Sequence, residues 1–279
     1  MTFDTAVQIV HDALAQLHEN GVELSASASA LDRLVQSAGS APVPKTAPAP
    51  ALTLTVEKAP TTPPPAAPSA DTEAKAARLA ELRPPVLACT KCPHLVASRT
   101  QVVFGVGNPA AELMFVGEAP GEDEDRQGEP FVGKAGQLLT KIIVAMGFER
   151  EDVYIANVLK CRPDMPPGES GNRKPRPAEM ETCLPYLRQQ IDIIQPRALV
   201  ALGATAMEGL LGETQPMNRL RGRWHEFNGI PLMATYHPAY LLRNQAMSEK
   251  RRVWEDMLQV MEKLGMNITP KQQGYFLKG

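Results

Sequence analysis

The sequence predicts an α/β fold, namely a three-layer α/β/α sandwich with a central parallel sheet. Short apolar runs rich in Val, Ile and Leu alternate along the chain with longer segments of helical periodicity. The short runs are apolar on both faces, as expected of strands that helices cover on each side of a parallel sheet. With 279 residues and 43% hydrophobic content, the chain can bury one large core.

The elements follow in an alternating order. A first helix over Glu73–Leu82 is expected to stop at the Pro84–Pro85 pair, because proline has no N–H to donate to the preceding turn. A later helix has Pro177 at its first turn, and Pro185 should kink or split it. The predicted strands are Val102–Phe104, Leu113–Val116, Val153–Val158, Ala198–Leu202 and Pro231–Thr235; the other predicted helices are Ala135–Met146, Ala178–Ile194, Ala204–Leu211 and Glu249–Leu264.

Composition divides the chain into four regions. Residues 1–37 are predicted as a helical N-terminal extension, and two interpretations stay open for it: a helix that docks on an unidentified protein partner, or a dispensable tail. Residues 38–70 hold nine prolines and are predicted as an extended Pro/Ala-rich linker. The folded domain is predicted over 71–268, and residues 269–279 form a C-terminal tail.

Charge and composition also limit the setting. No apolar run is long enough to span a membrane, and the N-terminus lacks the basic and small-residue features of a secretory signal. Four cysteines in a chain of this size suit a reducing compartment, so a cytoplasmic monomer is expected. The net charge of −2 argues mildly against a nucleic-acid-coating protein, although a local basic face is enough for phosphate contacts.

The segment 117–136, GEAPGEDEDRQGEPFVGKAG, is the most informative part of the sequence. The apolar run before it places Glu118 where a buried strand ends and a loop begins. In open parallel α/β sheets, ligands bind at the carboxyl ends of strands. The Ala119–Gly121 corner would hold the Glu118 carboxylate on a tight turn at that edge, so this segment predicts a chemically active loop.

The four cysteines predict a metal or cluster site. Cys89 and Cys92 form a C-x-x-C pair that can chelate from one turn, while Cys161 and Cys183 would complete the set from a distant segment. Four thiolates suit either tetrahedral zinc or a four-iron–four-sulfur cluster, and spacing alone slightly favours zinc. A redox role for the C-x-x-C pair is a third interpretation, although no thioredoxin-like context surrounds it.

Four blocks of sequence together resemble the family-four, iron–sulfur uracil-DNA glycosylases. The match runs in one order from about residue 79 to about residue 264. The blocks are Gly117–Asp125 with Gly128–Gly136, Tyr154–Pro163, Tyr236–Arg243, and the four cysteines. The resemblance implies the uracil-DNA glycosylase fold and a structural 4Fe-4S cluster on the cysteines, with zinc as the second candidate. It also implies an enzyme that flips uracil out of single- or double-stranded DNA and hydrolyses its N-glycosidic bond, leaving an abasic site.

The resemblance assigns catalytic roles to three residues. Glu118 would position water and offset the positive charge that develops at C1′ of the sugar. His237 would stabilise the departing uracil anion at O2, although a lone histidine is usually an ordinary loop residue. Glu124 matches a position that lines the pocket near uracil C5, and it is the alternative residue for holding the water.

The resemblance also assigns substrate contacts. Asn157 would accept from uracil N3–H and donate to O4, a pattern that cytosine reverses. Phe131 would stack on the flipped base, although such a residue is more often part of a core. The remaining contacts are the Ala119 N–H to O2, Asn172 in a loop longer than the family pattern, Leu241 or Leu242 in the gap left by the base, and Arg243.

Two alternatives to a glycosylase remain open on the sequence. The first is a non-catalytic iron–sulfur DNA-binding module of the same fold that acts in replication or repair, and the second is a cluster-bearing redox or sensor protein. Intact Glu118, Asn157 and His237 favour the enzyme, since a pure binder has no need for all three. Ala119, and the lack of histidine in residues 162–177, favour a hydrolase over a relative that traps its product covalently.

Overall fold

The structure, a computed structural model, describes residues 69–166, 168–169 and 171–277. The predicted extension over 1–37 lies outside these residues, as does the predicted linker over 38–70 except for its last two positions. Those two positions begin a helix: Ser69 caps α1 (Ala70–Leu87), and its hydroxyl accepts the backbone N–H of Thr72 at 3.2 Å. Among the described residues, no helix is both long enough and apolar enough to cross a bilayer.

A six-stranded mixed sheet forms the centre of the described chain. Its spatial order is β1-β3-β2-β4-β6-β5. The four inner strands run parallel, which confirms the predicted central parallel sheet, while β1 and β5 pair antiparallel at the two edges. The strands are β1 (Val106–Gly107), β2 (Leu113–Gly117), β3 (Tyr154–Asn157), β4 (Ala198–Leu202), β5 (Trp224–Phe227) and β6 (Ile230–Thr235).

Helices cover both faces of this sheet. One core cluster joins the sheet to α1, α5 and α6, and a second joins its other face to α4 and α9. The two clusters confirm the α/β/α layering. After α1 the helices are α2 (Pro93–Ser98), α3 (Glu122–Gln127), α4 (Lys134–Met146), α5 (Pro177–Ile194), α6 (Ala204–Leu211), α7 (Met217–Leu220), α8 (Pro238–Arg243), α9 (Met247–Lys263) and α10 (Pro270–Gln273).

Of two predictions that rested on proline, the first is wrong and the second is wrong in one of its two forms. Helix α1 continues through the Pro84–Pro85 pair to Leu87. Both prolines lie in its last turn, where few hydrogen bonds are lost, and the fully buried Val86 holds that turn against the core. Helix α5 is not split at Pro185, which lies on its exposed side, since the flanking apolar face stays packed in the core; the predicted kink stays a prediction.

One predicted strand is absent from the structure, and one observed edge strand was not predicted. Val102–Phe104 is buried but is not a strand; the backbone N–H of Val103 makes one bond to Lys160 O at 2.8 Å, and a single bond is no ladder. The edge strand β5 was not predicted, because its Trp-His-Glu-Phe sequence has no clear alternation. The sequence does contain its signal: Asn228 and Gly229, with φ of 50° and 81°, form the two-residue turn of a β5–β6 hairpin.

Candidate active site and thiol centre

The carboxyl ends of three parallel strands carry the predicted site residues. Gly117 at the end of β2 pairs in register with Asn157 at the end of β3, and Glu118 follows directly. Gly117 also makes room for a close approach: a Cβ there would overlap Asn157 Oδ1 and come within 2.5 Å of Phe131 Cζ. His237, just after β6, stacks on Phe131 with ring centroids 5.5 Å apart. The structure therefore brings Phe131 and His237, which are 106 positions apart in the chain, into contact at these strand ends.

Asn157 is buried with an unused acceptor. Its side chain is 2% exposed. Within the described part of the chain, its Oδ1 is the one buried side-chain oxygen or nitrogen that lacks a hydrogen-bond partner. Such an atom costs about 1–3 kcal/mol of stability when nothing satisfies it. Because Oδ1 lies beside the Phe131 ring, a planar ligand with an N–H donor would satisfy the acceptor and contact the ring.

His237 is held as a neutral donor. It caps α8, and its Nδ1 accepts the backbone N–H of Ala239 at 3.1 Å, so the neutral ring carries its proton on Nε2. Burial, with a smaller contribution from the positive charge of Arg243, lowers the pKa of His237 to about 4. The imidazole is therefore uncharged at neutral pH and offers one N–H to a ligand.

Glu118 is the carboxylate without backbone donors in this site. Burial raises its pKa above the ordinary value, while a hydrogen bond from Thr205 and the charge of Lys174 act in the opposite direction. Thr205 lies in the first turn of α6, so the residue that opposes this rise in pKa comes from the helix that follows β4. A carboxylate held in this way can accept a proton from water and can face a developing positive charge.

Glu124 differs from Glu118 in its partners. Its Oε1 accepts the backbone N–H groups of Val132 at 2.9 Å and Gly133 at 3.0 Å. Its Oε2 accepts the N–H of Gly121 at 3.1 Å. These three bonds fix both ends of the loop between the Pro-Gly corner and α4. The geometry favours Glu124 as a brace of this loop and leaves Glu118 as the stronger candidate for holding water.

The Phe131 loop is fixed in a strained conformation. Phe131 has φ of 55°, a left-handed value that is rare outside glycine. The first turn of α4 packs onto its carbonyl, and no side chain fits at Gly136, where a Cβ would overlap the Phe131 backbone. Arg150 donates to Pro130 O at 2.7 Å and holds the loop from the other side. Strain that is maintained by several contacts is common at ligand sites.

The remaining predicted contacts lie around this centre with different exposure. Ala119 is half-buried and packs on one core cluster. Asn172 is exposed beside the Gly121 corner, 3.2 Å from a Cβ placed there. On α8, Leu241 is 5% exposed and Leu242 is 40% exposed, so Leu242 is the leucine that is accessible from the surface. Arg243 is exposed at the end of the same helix.

The four cysteines line a single pocket. Cys89 and Cys92 approach from the α1–α2 turn, Cys161 follows β3, and Cys183 lies on α5. Burial raises the pKa of Cys183 to about 11, so a positively charged centre is needed to hold it as a thiolate. No three of these described thiols have their sulfur atoms within 4.8 Å of one another. The donor set fits a group with four thiolate ligands at wide spacing.

An ion-pair network borders this thiol pocket. Glu179 accepts from His94 Nε2 at 2.8 Å, from Arg173 at 2.7 and 3.0 Å, and from the backbone N–H of Arg176 at 2.7 Å. Arg173 also pairs with Asp164. His94, Asp164 and Glu179 have the spacing of a cation site, but the Arg173 guanidinium already supplies the positive charge between the carboxylates. The network ties together the segments that follow Cys92 and Cys161 and precede Cys183.

Comparison with known proteins places this site in a family. Residues 104–258 match the uracil DNA glycosylase superfamily. The chain is 46% identical over 172 residues to a type-4 uracil-DNA glycosylase of Thermotoga maritima, covering 61% of this chain and 85% of that protein. It is 42% identical over 212 residues to the type-4 enzyme of Sulfurisphaera tokodaii, covering 72% and 91%. The chain belongs to the type-4 uracil-DNA glycosylases. A type-5 uracil-DNA glycosylase of Pyrobaculum aerophilum is 30% identical over 186 residues, covering 55% of this chain and 79% of that protein.

Three residues of this type-4 chain contact the predicted groups but were not singled out from the sequence. Thr205 lowers the pKa of Glu118 against the effect of burial, and Arg99 donates to Cys161 Sγ at 2.9 Å. Lys160 is 1% exposed, and its ammonium donates to Asn157 O at 3.0 Å. Of the three, only Lys160 had a usable signal in the sequence, namely a charged residue directly after the apolar run that ends at Leu159.

Proposed function

We propose that this chain is a monofunctional uracil-DNA glycosylase that removes uracil from DNA and leaves an abasic site. One observation carries the assignment: the buried, unpartnered Oδ1 of Asn157 lies beside the Phe131 ring. Uracil presents a planar face and an N3–H donor, and both would be satisfied there. Cytosine has an acceptor at N3, so it would leave Oδ1 unpaired, and a site built in this way rejects the wrong base strongly.

The proposed reaction breaks the bond between N1 of uracil and C1′ of the sugar. The bonding electron pair leaves with the base, and negative charge collects at O2, where His237 Nε2–H would donate. Positive charge develops at C1′, where the Glu118 carboxylate would offset it and hold the attacking water. The water oxygen bonds to C1′, and its proton passes to Glu118 and then to solvent.

The four thiols are proposed to hold a structural 4Fe-4S cluster, with zinc as the second candidate. Tetrahedral zinc with bonds of about 2.3 Å needs sulfur atoms about 3.8 Å apart. The wider spacing of the described thiols supports a larger group whose ligands bind at its outer corners. A bound cluster would supply a cross-link rather than electrons, since hydrolysis moves none. Its four ligands would join the α1–α2 turn, the segment after β3, and α5.

The proposed partner is uracil-containing DNA, single- or double-stranded. The exposed Leu242 and Arg243 at the end of α8 are the proposed contacts in the gap left by the flipped nucleotide and on its backbone. The protein is proposed to act as a monomer in the cytoplasm, because its four cysteines suit a reducing compartment. A protein partner for residues 1–37 remains a proposal without an identified candidate.

Single-turnover cleavage of an oligonucleotide with one uracil tests this function. The parent should give an alkali-labile product, and Glu118→Ala and His237→Ala should each slow the chemical step by about 10²–10³-fold while DNA affinity stays within a few-fold. Leu242→Ala is a matched control that should weaken capture of double-stranded DNA more than single-stranded DNA. Tight DNA binding by the parent without any excision would favour the non-catalytic DNA-binding module instead.

A further inference from the structure

Lys160 lies between the base-reading strand end and the thiol centre, and its bonds connect the two. It is a charged side chain with 1% exposure. Its ammonium donates to Asn157 O at 3.0 Å and to Gln190 Oε1 at 2.6 Å. Its backbone N–H donates to Cys183 Sγ at 3.3 Å, and Cys161 is the next residue in the chain. One residue therefore contacts the segments of both sites.

The contact with Asn157 fixes the peptide plane that aims its side chain. Beyond Asn157 the chain stays attached to β2, because Val158 N–H donates to Gly117 O and Leu159 N–H donates to Glu118 O, each at 3.0 Å. The Asn157 carbonyl itself is bound by the Lys160 ammonium. Rotation of that peptide would turn Oδ1 away from the Phe131 ring. A bond to a charged donor resists such rotation more strongly than a neutral bond does.

The other end of Lys160 is anchored to helix α5. The Gln190 amide accepts from Lys160 and donates to Phe104 O at 2.9 Å and to the Tyr154 hydroxyl at 3.2 Å. All of these groups are buried, so the amide has no freedom to turn. Lys160 is thus held in one position by an element that also carries Cys183.

The charge of Lys160 has no carboxylate partner among the described residues. A buried ammonium without a counter-charge is costly. The adjacent thiol centre would supply that counter-charge when it is loaded, because four thiolates bring negative charge to the backbone of this same residue. The arrangement links a filled thiol centre to a correctly placed ammonium.

We propose that Lys160 is a positioning residue for uracil recognition: it holds the Asn157 peptide in its reading orientation and links that orientation to the four-thiol centre. This proposal rests on the proposed glycosylase function. It makes Lys160 a determinant of base selection although its ammonium contacts no substrate. It also gives the thiol centre a second effect on the site, beyond bracing loops.

The test compares a substrate that needs Asn157 with a ligand that does not. Lys160→Met keeps the apolar stem and removes both ammonium bonds. It should slow single-turnover excision of uracil by about 10²-fold, as expected from displacement of a recognition group by about 1 Å. Its affinity for abasic-site DNA, which has no base to read, should stay within about threefold of the parent. An equal loss on both DNAs would overturn the proposal and leave Lys160 a general structural residue.

A double-mutant cycle identifies the residue through which Lys160 acts. In an Asn157→Ala background, Lys160→Met should lower excision by less than about threefold further, because the group that it positions is already absent. Multiplied effects of the two substitutions would overturn the proposal. Failure of the parent to excise uracil would instead overturn the proposed function, so the two failures are distinguishable.

Two further variants keep the test decisive. Arg99→Met removes the bond to Cys161 Sγ but touches no atom of Asn157. It should change the visible absorbance of the bound cluster and, through Lys160, lower the ratio of uracil excision to abasic-DNA affinity; an altered absorbance with an unchanged ratio would overturn the link between the thiol centre and Asn157. If Lys160→Met fails to fold, Gln190→Met releases the other end of the ammonium and should lower the same ratio about tenfold; an unchanged ratio would overturn the proposal.

Discussion

Two buried polar groups, one at the strand-end site and one at the wall of the thiol pocket, have opposite surroundings. Glu179 beside the thiols is 3% exposed and receives bonds from His94, from the Arg173 guanidinium and from the Arg176 backbone N–H. The Oδ1 of Asn157, in a side chain that is 2% exposed, receives none. Residues that surround a group which stays bound can satisfy the hydrogen bonds of their own polar atoms. A site for a ligand that enters and leaves keeps one unpaired.

The same contrast separates two carboxylates that lie six residues apart. Both oxygens of Glu124 accept backbone N–H groups of its loop, whereas the half-buried Glu118 carboxylate accepts no backbone N–H group in the described part of the chain. The first arrangement stabilises a conformation, and the second preserves reactivity. In this chain, a buried or half-buried polar group that lacks hydrogen-bond partners therefore indicates a reactive site better than the presence of a carboxylate does.

The largest expected effect comes from altering the unpaired group. Asn157→Asp replaces the amide donor with a second acceptor, so it can no longer donate to uracil O4. Uracil excision should fall by about 10³-fold, and the ratio of uracil to cytosine excision should fall with it. Single-turnover rates on matched oligonucleotides with uracil or cytosine measure both quantities. Unchanged selectivity would mean that another residue reads the base.

A smaller effect is expected at the satisfied wall, measured as stability. Burial alone would raise the pKa of Glu179, but bonds from Arg173, the Arg176 N–H and His94 lower it to about 2. Glu179→Gln removes the negative charge and should lower the free energy of unfolding by about 3 kcal/mol. Glu112→Gln is the matched control, because its pair with Arg197 is more than half exposed and should contribute about 0–1 kcal/mol.

Equal losses in the two variants would contradict the contrast between buried and exposed pairs. The pH dependence gives a second check. Because the folded pKa of Glu179 lies below the unfolded value, its stabilisation is present above about pH 4.5 and is lost as the pH falls through about 2. Chemical denaturation of the parent and of Glu179→Gln at several pH values should show the difference between the two proteins shrink across that window.

The smallest expected effect is on the pH profile of the reaction. An ordinary imidazole would protonate near pH 6.5, whereas burial and Arg243 lower the pKa of His237 to about 4. The neutral donor form therefore persists as the pH falls, and the single-turnover rate should change little between about pH 8 and pH 6. Burial also raises the pKa of Glu118, and protonation of this carboxylate should lower the reaction rate on the acidic side of the pH profile. In His237→Gln, the limb that remains should belong to Glu118, and a limb near 6.5 that disappears in this variant would contradict the depressed pKa.

Much of the fold could be predicted from the sequence, because strands buried on both faces and amphipathic helices have distinct periods. The inner strands and α6 agree with the prediction within a residue or two. The errors arose where packing overrides local chemistry, as at Pro84–Pro85, or where a strand lies at a polar edge, as in β5. Local rules describe a segment in isolation, and these segments are held by their neighbours.

The sequence predicted which residues form the candidate site, but it did not predict which role each of them has. The motifs brought forward both Glu118 and Glu124, and only the hydrogen bonds of Glu124 separate a brace from a free carboxylate. The choice between Leu241 and Leu242 likewise depends on which side of α8 packs inward. The contacts of Lys160 with Asn157 and Gln190 could not be predicted from the sequence, because Gln190 lies 30 positions away on another element.

The segment predicted as a C-terminal tail contains helix α10, which is hydrogen-bonded to the end of helix α4. Gln272 in α10 donates to Ala145 O at 2.9 Å and to Met146 O at 3.4 Å, which are the last two carbonyls of that helix. Its own carbonyl accepts from the indole of Trp254 at 2.6 Å. Helix α4 begins at Lys134, three residues after the strained Phe131. Shortening the chain at residue 268 would therefore loosen a helix whose other end adjoins the candidate site. A truncated variant that is meant to keep the site intact therefore has to retain α10.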